Sequence, residues 1–278
     1  LKLKKFLFIL IVIISINLPV KSCTLWGSAG STSKDGITLV TKNRDWKPDN
    51  KNELWLIKPE KGFKFLALYA IGGENEGIKG GINEKGLVVL TATASTLPKE
   101  ERMGEKISIA ELLTTCDSVD SVLEKKEMFG KPFFYITGDK TKIAVIEIGQ
   151  EGTCSVRETE NGILYHTNHY LYEHLIDFNK KENESSQVRY NRIKDLMEHH
   201  KELFRMEDFI EFSSDIHDGP DNSIWRTGST PEKPRTLGSL IVAIPKDEPP
   251  VLYIKTANPG EEEKTEKMIL DEDFWNRQ

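Results

Sequence analysis

The chain has 278 residues, 38 Lys and Arg against 44 Asp and Glu, a formal net charge of −6 and three cysteines. The acidic balance argues against non-specific attachment to nucleic acid or to an anionic membrane surface. Three cysteines are too few for a disulfide framework, and the length suits one large domain or two small ones.

In chain order, residues 1–5 carry three lysines, 6–20 are almost wholly apolar, and Lys21-Ser22 follow. A basic start, an apolar run of that length and a small residue before the cut predict a secretory signal. The run is shorter than the ~20 apolar residues a spanning helix needs. The protein is therefore expected to be exported (secreted, periplasmic or cell-surface associated) and not stably inserted in a membrane. Residues 1–22 form the cleaved segment and 23–278 a single domain. Cleavage before Cys23 leaves 256 residues and, with four lysines gone, a formal net charge of −10.

From Cys23 to residue 97 the pattern predicts strand after strand: 23–29, 37–42 rising into Asn43-Arg44-Asp45-Trp46, 53–58 and 64–71. A hairpin over 80–90 turns at Asn83-Glu84-Lys85-Gly86, where glycine can supply the positive φ of a tight turn. Ser108 is placed to cap a helix over 109–116, and 118–127 reads as a second. Strands return at 133–137, 142–148 and 163–167, helices at 185–200 and 206–213, and strands again at 237–244 and 251–255. Hairpins interspersed with helices, without βαβ alternation, indicate an α+β chain built on antiparallel sheets.

The position of Cys23 suggests chemistry. If cleavage falls between Ser22 and Cys23, one residue holds both a thiol and a free α-amine. An α-amine titrates at roughly 7.7–8, so near neutral pH it can take the thiol's proton. Nucleophile and base then share one residue, a known way of activating a nucleophile.

Starting from Cys23-Thr24, further short motifs follow in order. They are Lys42-Asn43-Arg44-Asp45-Trp46, Gly81-Ile82-Asn83-Glu84-Lys85-Gly86-Leu87, His166-Thr167-Asn168-His169 and Ser185-Ser186-Gln187-Val188-Arg189-Tyr190. This ordered set resembles the N-terminal-nucleophile amide hydrolases of the branch that holds choloylglycine hydrolase, penicillin V acylase, acid ceramidase and isopenicillin-N acyltransferase-like proteins. The resemblance implies a four-layer αββα sandwich. It also implies cleavage of a linear amide in an N-acylated small molecule through an S-acyl enzyme, with no cofactor and no metal. Acyl transfer to an amine is the alternative outcome.

By the same resemblance, Asp45 positions the α-amine of Cys23, the side-chain amide of Asn168 donates into the oxyanion hole, and the backbone N–H of Thr93 is the second donor. Arg189 matches the family's late arginine near the nucleophile, with Arg192 one turn on as the alternative. The bile-salt hydrolase branch has arginine where this chain has Lys42. Strand alternation puts Arg44 on the same face as Lys42 and opposite Asp45, so either cation can favour the thiolate. Trp46, Arg44, His169 and His217 are candidates for substrate binding, and the loops 46–52, 96–105 and 170–184 for the pocket walls.

Other readings are weighed against this one. A cysteine after a signal segment also marks lipoproteins, which would make this an anchored binding protein, but Lys21 departs from the small or apolar residue expected there. The histidines show no His-Glu-x-x-His spacing, and Gly-x-Ser-x-Gly is absent. Cys116 and Cys154 either pair or stand as separate buried thiols. A homo-oligomer stays open.

Overall fold

The computed structural model of the protein describes residues 22–277 with the exception of Lys106. The expected signal segment, but for Ser22, lies outside the described residues.

The chain begins with β1 (Cys23–Ala29) and β2 (Thr38–Trp46), then crosses into a second sheet. There β3 (Lys51–Ile57), β4 (Phe65–Ile71), β5 (Gly77–Asn83) and β6 (Val88–Ala92) run in succession. Helices α1 (Ile109–Thr115) and α2 (Val119–Leu123) follow, and β7 (Phe133–Gly138), β8 (Ile143–Ile148) and β9 (Cys154–Thr159) complete this seven-stranded meander. The chain returns through β10 (Gly162–His166), which pairs with β1. After α3 (Glu184–Glu198), α4 (Met206–Ser213) and the short α5 (Gly219–Asn222) come β11 (Arg235–Ile244), β12 (Val251–Thr256), β13 (Lys264–Ile269) and α6 (Glu272–Asn276). The first sheet has the order β10-β1-β2-β11-β12-β13, and every pairing in both sheets is antiparallel.

Strand alternation sorts the apolar side chains into three layers. Leu25, Val40, Leu240 and Val242 of the first sheet meet Leu66, Ile82, Leu90 and Ile136 of the second. Their neighbours in sequence point outward. Trp26, Leu39 and Ile241 pack under Ile193 of α3 and Phe209 of α4, while Ala67, Val89 and Tyr135 pack under Leu112 and Leu113 of α1. The result is the expected α–β–β–α stack. Both faces of each sheet are covered, which is why the central strands read as continuous apolar runs.

The hairpin between β5 and β6 turns as predicted, with Gly86 at φ +85°. Asn83 has a structural task there. Its Nδ2 donates to the carbonyls of Leu113 and Cys116 at the end of α1 (2.8 and 2.7 Å), and its Oδ1 accepts from Lys85 and Leu87. β2 runs through Trp46, so the whole Lys-Asn-Arg-Asp-Trp motif is strand. Two strands and two short helices escaped the sequence reading: β9, β13, α5 and α6. Cys116 and Cys154 are free thiols, the first buried and the second half-buried. Among the described residues no helix is long and apolar enough to cross a membrane.

Candidate active site

The register of β1 on β2 sets Cys23 opposite Arg44 and Leu25 opposite Lys42. Cys23, Lys42 and Arg44 therefore share the face between the sheets, as alternation predicts. Lys42 is buried there with its Nζ donating to the carbonyl of Lys79 on β5 at 2.6 Å. Arg44 donates to the side-chain oxygens of Asn52 and Asn50 at 2.8 and 2.9 Å. Gly238 on β11 faces Arg44 across the sheet, and a β-carbon there would come within 3.0 Å of the Asn52 amide. Burial pulls the Lys42 ammonium down to about 8 and the Arg44 guanidinium to about 10, with Cys23 the strongest charge opposing both shifts.

The intervening residues face the helices. Asn43 donates to the carbonyls of Ser213 and Ile224, and Thr24 and Asp45 meet Arg189 of α3. Arg189 is fully buried. Its Nη1 donates to the carbonyl of Cys23 and to Oγ1 of Thr24, both at 2.8 Å, and its Nη2 to Oδ1 of Asn168 at 3.2 Å. Its Nε lies 4.0 Å from Oδ2 of Asp45. Arg192, the alternative, turns away to Asp215 at 2.6 Å.

Asp45 is also fully buried. Oδ1 accepts from Thr236 at 2.8 Å, Oδ2 lies 3.6 Å from Nη1 of Arg226, and that oxygen accepts no hydrogen bond. Burial raises its pKa, opposed by Arg226 and Arg189. Thr236 and Arg226 were not singled out from the sequence. They reach Asp45 from β11 and from the loop before it, and no motif announces them.

Asn168 lies just past β10. Its Oδ1 accepts from the main-chain nitrogen of Cys23 at 2.7 Å, and its Nδ2 donates to the carbonyl of Thr93 at 2.9 Å, leaving the second Nδ2–H without a partner among the described residues. Thr93 meets Asn168 through its carbonyl. Behind this residue His166 and Glu147 are fully buried and 2.8 Å apart. Nδ1 of His166 meets the carbonyl of Thr167 at 2.9 Å, and Glu147 accepts the amide of Leu171, so both ends of the Asn168 loop are tied to one carboxylate.

Cys23 opens onto a cavity of about 440 Å³. Of the residues singled out from the sequence, Lys42, Arg44, Asp45, Trp46 and Thr93 line it, and so do Lys99, Arg102 and Met103 from the 96–105 loop. The remaining wall comes from segments around Ile78 and Phe133. Two binding candidates need correction. His169 faces Ser186 at 2.8 Å and the Tyr190 ring on the helix side, and burial lowers its pKa to about 4. His217 is exposed, its ring 3.1 Å from Asp218 in a local turn. Neither lines the cavity, nor does the 170–184 loop. Ser22, still joined to Cys23, is buried in the lining and accepts the amide of Asp45 at 3.2 Å.

The sequence model of the acyl-coenzyme A:6-aminopenicillanic acid acyl-transferase family matches residues 31–261. The chain belongs to that family. Comparison of this acyl-transferase-family chain with curated proteins finds no match. Its structure is similar to a variant of conjugated bile acid hydrolase from Clostridium perfringens, at 14% identity and a TM-score of 0.54 over 87% of this chain and 97% of that one. A second mutant of the same hydrolase gives 15%, 0.53, 88% and 97%. The Caenorhabditis elegans orthologue of N-acylethanolamine-hydrolyzing acid amidase shares 12% identity at a TM-score of 0.50, over 79% of this chain and 92% of that one. At these identities the likeness is one of fold, the α+β sandwich of the N-terminal-nucleophile hydrolases.

Proposed function

We propose that this family member is an exported amidohydrolase that cleaves a linear amide of an N-acylated small molecule, with Cys23 as nucleophile once the chain is cut after Ser22. The observation that carries this reading is the double grip on Cys23: its main-chain nitrogen on Asn168 and its carbonyl on Arg189, beside a cavity that its side chain enters. A cysteine held at both backbone ends keeps its sulfur in a fixed position relative to a bound substrate, and fixed geometry is a large part of a catalytic advantage.

In the proposed reaction the free α-amine takes the thiol proton and the sulfur attacks the amide carbon. Lys42 and Arg44 on the same face favour the thiolate. The carbonyl oxygen gains negative charge, for which the unused Nδ2–H of Asn168 and the backbone N–H of Thr93 are the donors. The protonated α-amine passes its proton to the departing nitrogen as the C–N bond breaks. Water then attacks the thioester, releasing the acid and restoring the thiol. Cleavage after Ser22 also vacates the space that Ser22 occupies in the cavity. The buried Oδ2 of Asp45, flanked by Arg226 and Arg189 but accepting no hydrogen bond, is a suitable acceptor for the ammonium form of the amine.

The family's name favours a second outcome in which an amine, rather than water, resolves the thioester. Mass spectrometry of the exported protein and of its acyl adduct tests both. A free Cys23 N-terminus, an acyl group trapped on Cys23 and loss of turnover in Cys23→Ala are expected. A diacylglyceryl group on Cys23, or turnover of Cys23→Ala within tenfold of the parent, would refute the assignment. Acyl-amide products in the presence of added amine would select transfer over hydrolysis.

A further inference from the structure

The two donors of the proposed oxyanion hole come from different sheets. Thr93 follows directly on β6 of the seven-stranded sheet, and Asn168 lies just past β10 of the six-stranded one. Strand pairing within a sheet therefore does not set the distance between them. Both segments have left their ladders, so side chains and loop backbone have to fix their separation.

Part of the linkage is direct. Nδ2 of Asn168 donates to the carbonyl of Thr93, and the N–H and hydroxyl of Ser95 donate to the carbonyl of Asn168 at 3.1 and 3.2 Å. Bonds gathered on one residue leave a pivot about which the two segments can turn. A second point of attachment lies further along both. Oδ1 of Asn179 accepts from the Thr96 hydroxyl at 2.7 Å and from the Tyr170 N–H at 2.9 Å. Its Nδ2 donates to the Tyr170 carbonyl at 2.9 Å. One carboxamide thus holds the chain just beyond Asn168 and just beyond Thr93 together.

The surroundings make this a firm attachment. Thr96 and Tyr170 are buried, so little water competes for the bonds. Asn179 ends the short 3-10 helix Glu173–Phe178, which Leu175 anchors in the core between the sheets. Beyond it the N–H of Lys181 donates to the Thr96 carbonyl at 2.8 Å. Asn183, which caps α3, donates to the Ser95 hydroxyl at 2.8 Å. The 170–184 loop, expected from the sequence to wall the cavity, instead ties the two donor segments together.

We propose that Asn179, acting through Thr96 and Tyr170, is a positioning residue that sets the spacing between the Asn168 amide and the Thr93 N–H. The assignment deepens the amidohydrolase reading and rests on it for the oxyanion that both donors meet. Such donors act only when aimed at the place where charge develops, so a small turn between the segments costs rate rather than substrate affinity.

Thr96→Val removes one hydroxyl at nearly constant shape, and Thr96→Ser keeps it. Thr96→Val should lower kcat about tenfold, part of the ~100-fold that misplaced groups can cost, with KM changed less than about twofold. Thr96→Ser should recover most of the loss. Asn179→Ala should cost more than Thr96→Val. Placed on Asn168→Ala, it should cost less than about threefold further, because its effect passes through Asn168. A merely structural role predicts a lower melting temperature, an unchanged kcat per folded molecule and losses that multiply in the double variant. Those results would overturn the proposal. Amide hydrogen exchange supplies a readout without turnover. The Ser95 N–H joins the two segments, and it should exchange at least about threefold faster in Thr96→Val while the amides of β6 and β10 keep their rates. If the parent turned over no amide, the amidohydrolase reading would fail and exchange alone would decide. Faster exchange at Ser95 would then uphold the attachment through Asn179, and unchanged exchange would reject it.

Discussion

Arg189 donates to the carbonyl of Cys23 at 2.8 Å from a site with no solvent exposure, and burial holds its pKa at about 10. The same guanidinium reaches Thr24 and Asn168 and faces Asp45, so one planar group from α3 aligns four residues that come from β1, β2 and the loop after β10. Lysine cannot reproduce that fork. Arg189→Lys is expected to lower kcat about 100-fold with a smaller change in KM, the scale of loss that follows a small misplacement of reacting groups. Steady-state kinetics on any accepted amide checks this. An unchanged kcat would reduce Arg189 to a packing residue.

Asn168 binds the nitrogen of Cys23 with its oxygen and the Thr93 carbonyl with one N–H, so removal of its side chain takes away both alignment and the remaining donor. Asn168→Ala should lower kcat by about 100- to 1,000-fold, the range for loss of one oxyanion donor. An effect confined to KM would assign Asn168 to substrate binding instead.

Lys42 provides a pH test. Burial lowers its ammonium to about 8, below the ordinary 10.5. If its charge favours the thiolate, activity should decline as pH rises through about 8, and Lys42→Arg should move that decline upward. The stability effect has the opposite direction. Between about 8 and 10.5 the unfolded chain holds the proton that the folded protein has released, so the parent should gain stability relative to Lys42→Met as pH rises across that window. The total gain is up to about 3 kcal/mol. Denaturant titrations of both proteins at pH 7.5 and 10 check the sign. A gap that stays constant would show that Lys42 does not titrate there.

Much of this site was legible before the fold was known. Alternation along β2 separated Lys42 and Arg44 from Asp45, and that separation puts the two cations on the face of Cys23 while Asp45 meets Arg189. The partners of Asp45 were not legible, because Arg226 and Thr236 come from chain about 180–190 residues away and only sheet pairing brings them in. β9 and β13 were missed for a different reason. They are edge strands rich in exposed polar residues, Cys-Ser-Val-Arg-Glu-Thr and Lys-Thr-Glu-Lys-Met-Ile, and charge on an edge protects a sheet from pairing further while hiding its alternation. His169 was a candidate as the neighbour of Asn168, and His217 as part of the polar loop 215–219. The residue directly after Asn168 already faces α3.

The His166–Glu147 pair should matter more for stability than its distance from the cavity suggests. Both side chains are fully buried, and Glu147 also accepts the amide of Leu171. Glu147→Ala leaves a buried imidazole and a backbone N–H without acceptors, a loss of about 3–5 kcal/mol for a broken buried pair. Thermal unfolding measures it. Should the protein stay folded, kcat should fall with little change in KM, because the Asn168 loop has lost its anchor. Full stability in Glu147→Ala would show that the loop is held by other contacts.

The α-amine itself should be required. While Ser22 is attached, the nitrogen of Cys23 is an amide that donates to Asn168 and has no basic lone pair, and Ser22 occupies part of the cavity. A cysteine enzyme whose base is a separate histidine would tolerate residues before its nucleophile. Among the described residues neither histidine beside Asn168 lines the cavity: His166 is committed to Glu147 and the Thr167 carbonyl, and His169 faces Ser186. The protein carrying an uncleavable Met-Gly extension before Cys23 should therefore fold with an unchanged melting temperature and fail to turn over amides. Trimming the extension so that Cys23 is first should restore activity. To separate the lost base from steric occlusion, α-N-methylation of the trimmed protein keeps a basic nitrogen while adding bulk, and acetylation removes the base. Activity that survives methylation and vanishes on acetylation assigns the loss to the base. Equal rates for extended and trimmed proteins would exclude amine catalysis, even with Cys23 proved essential.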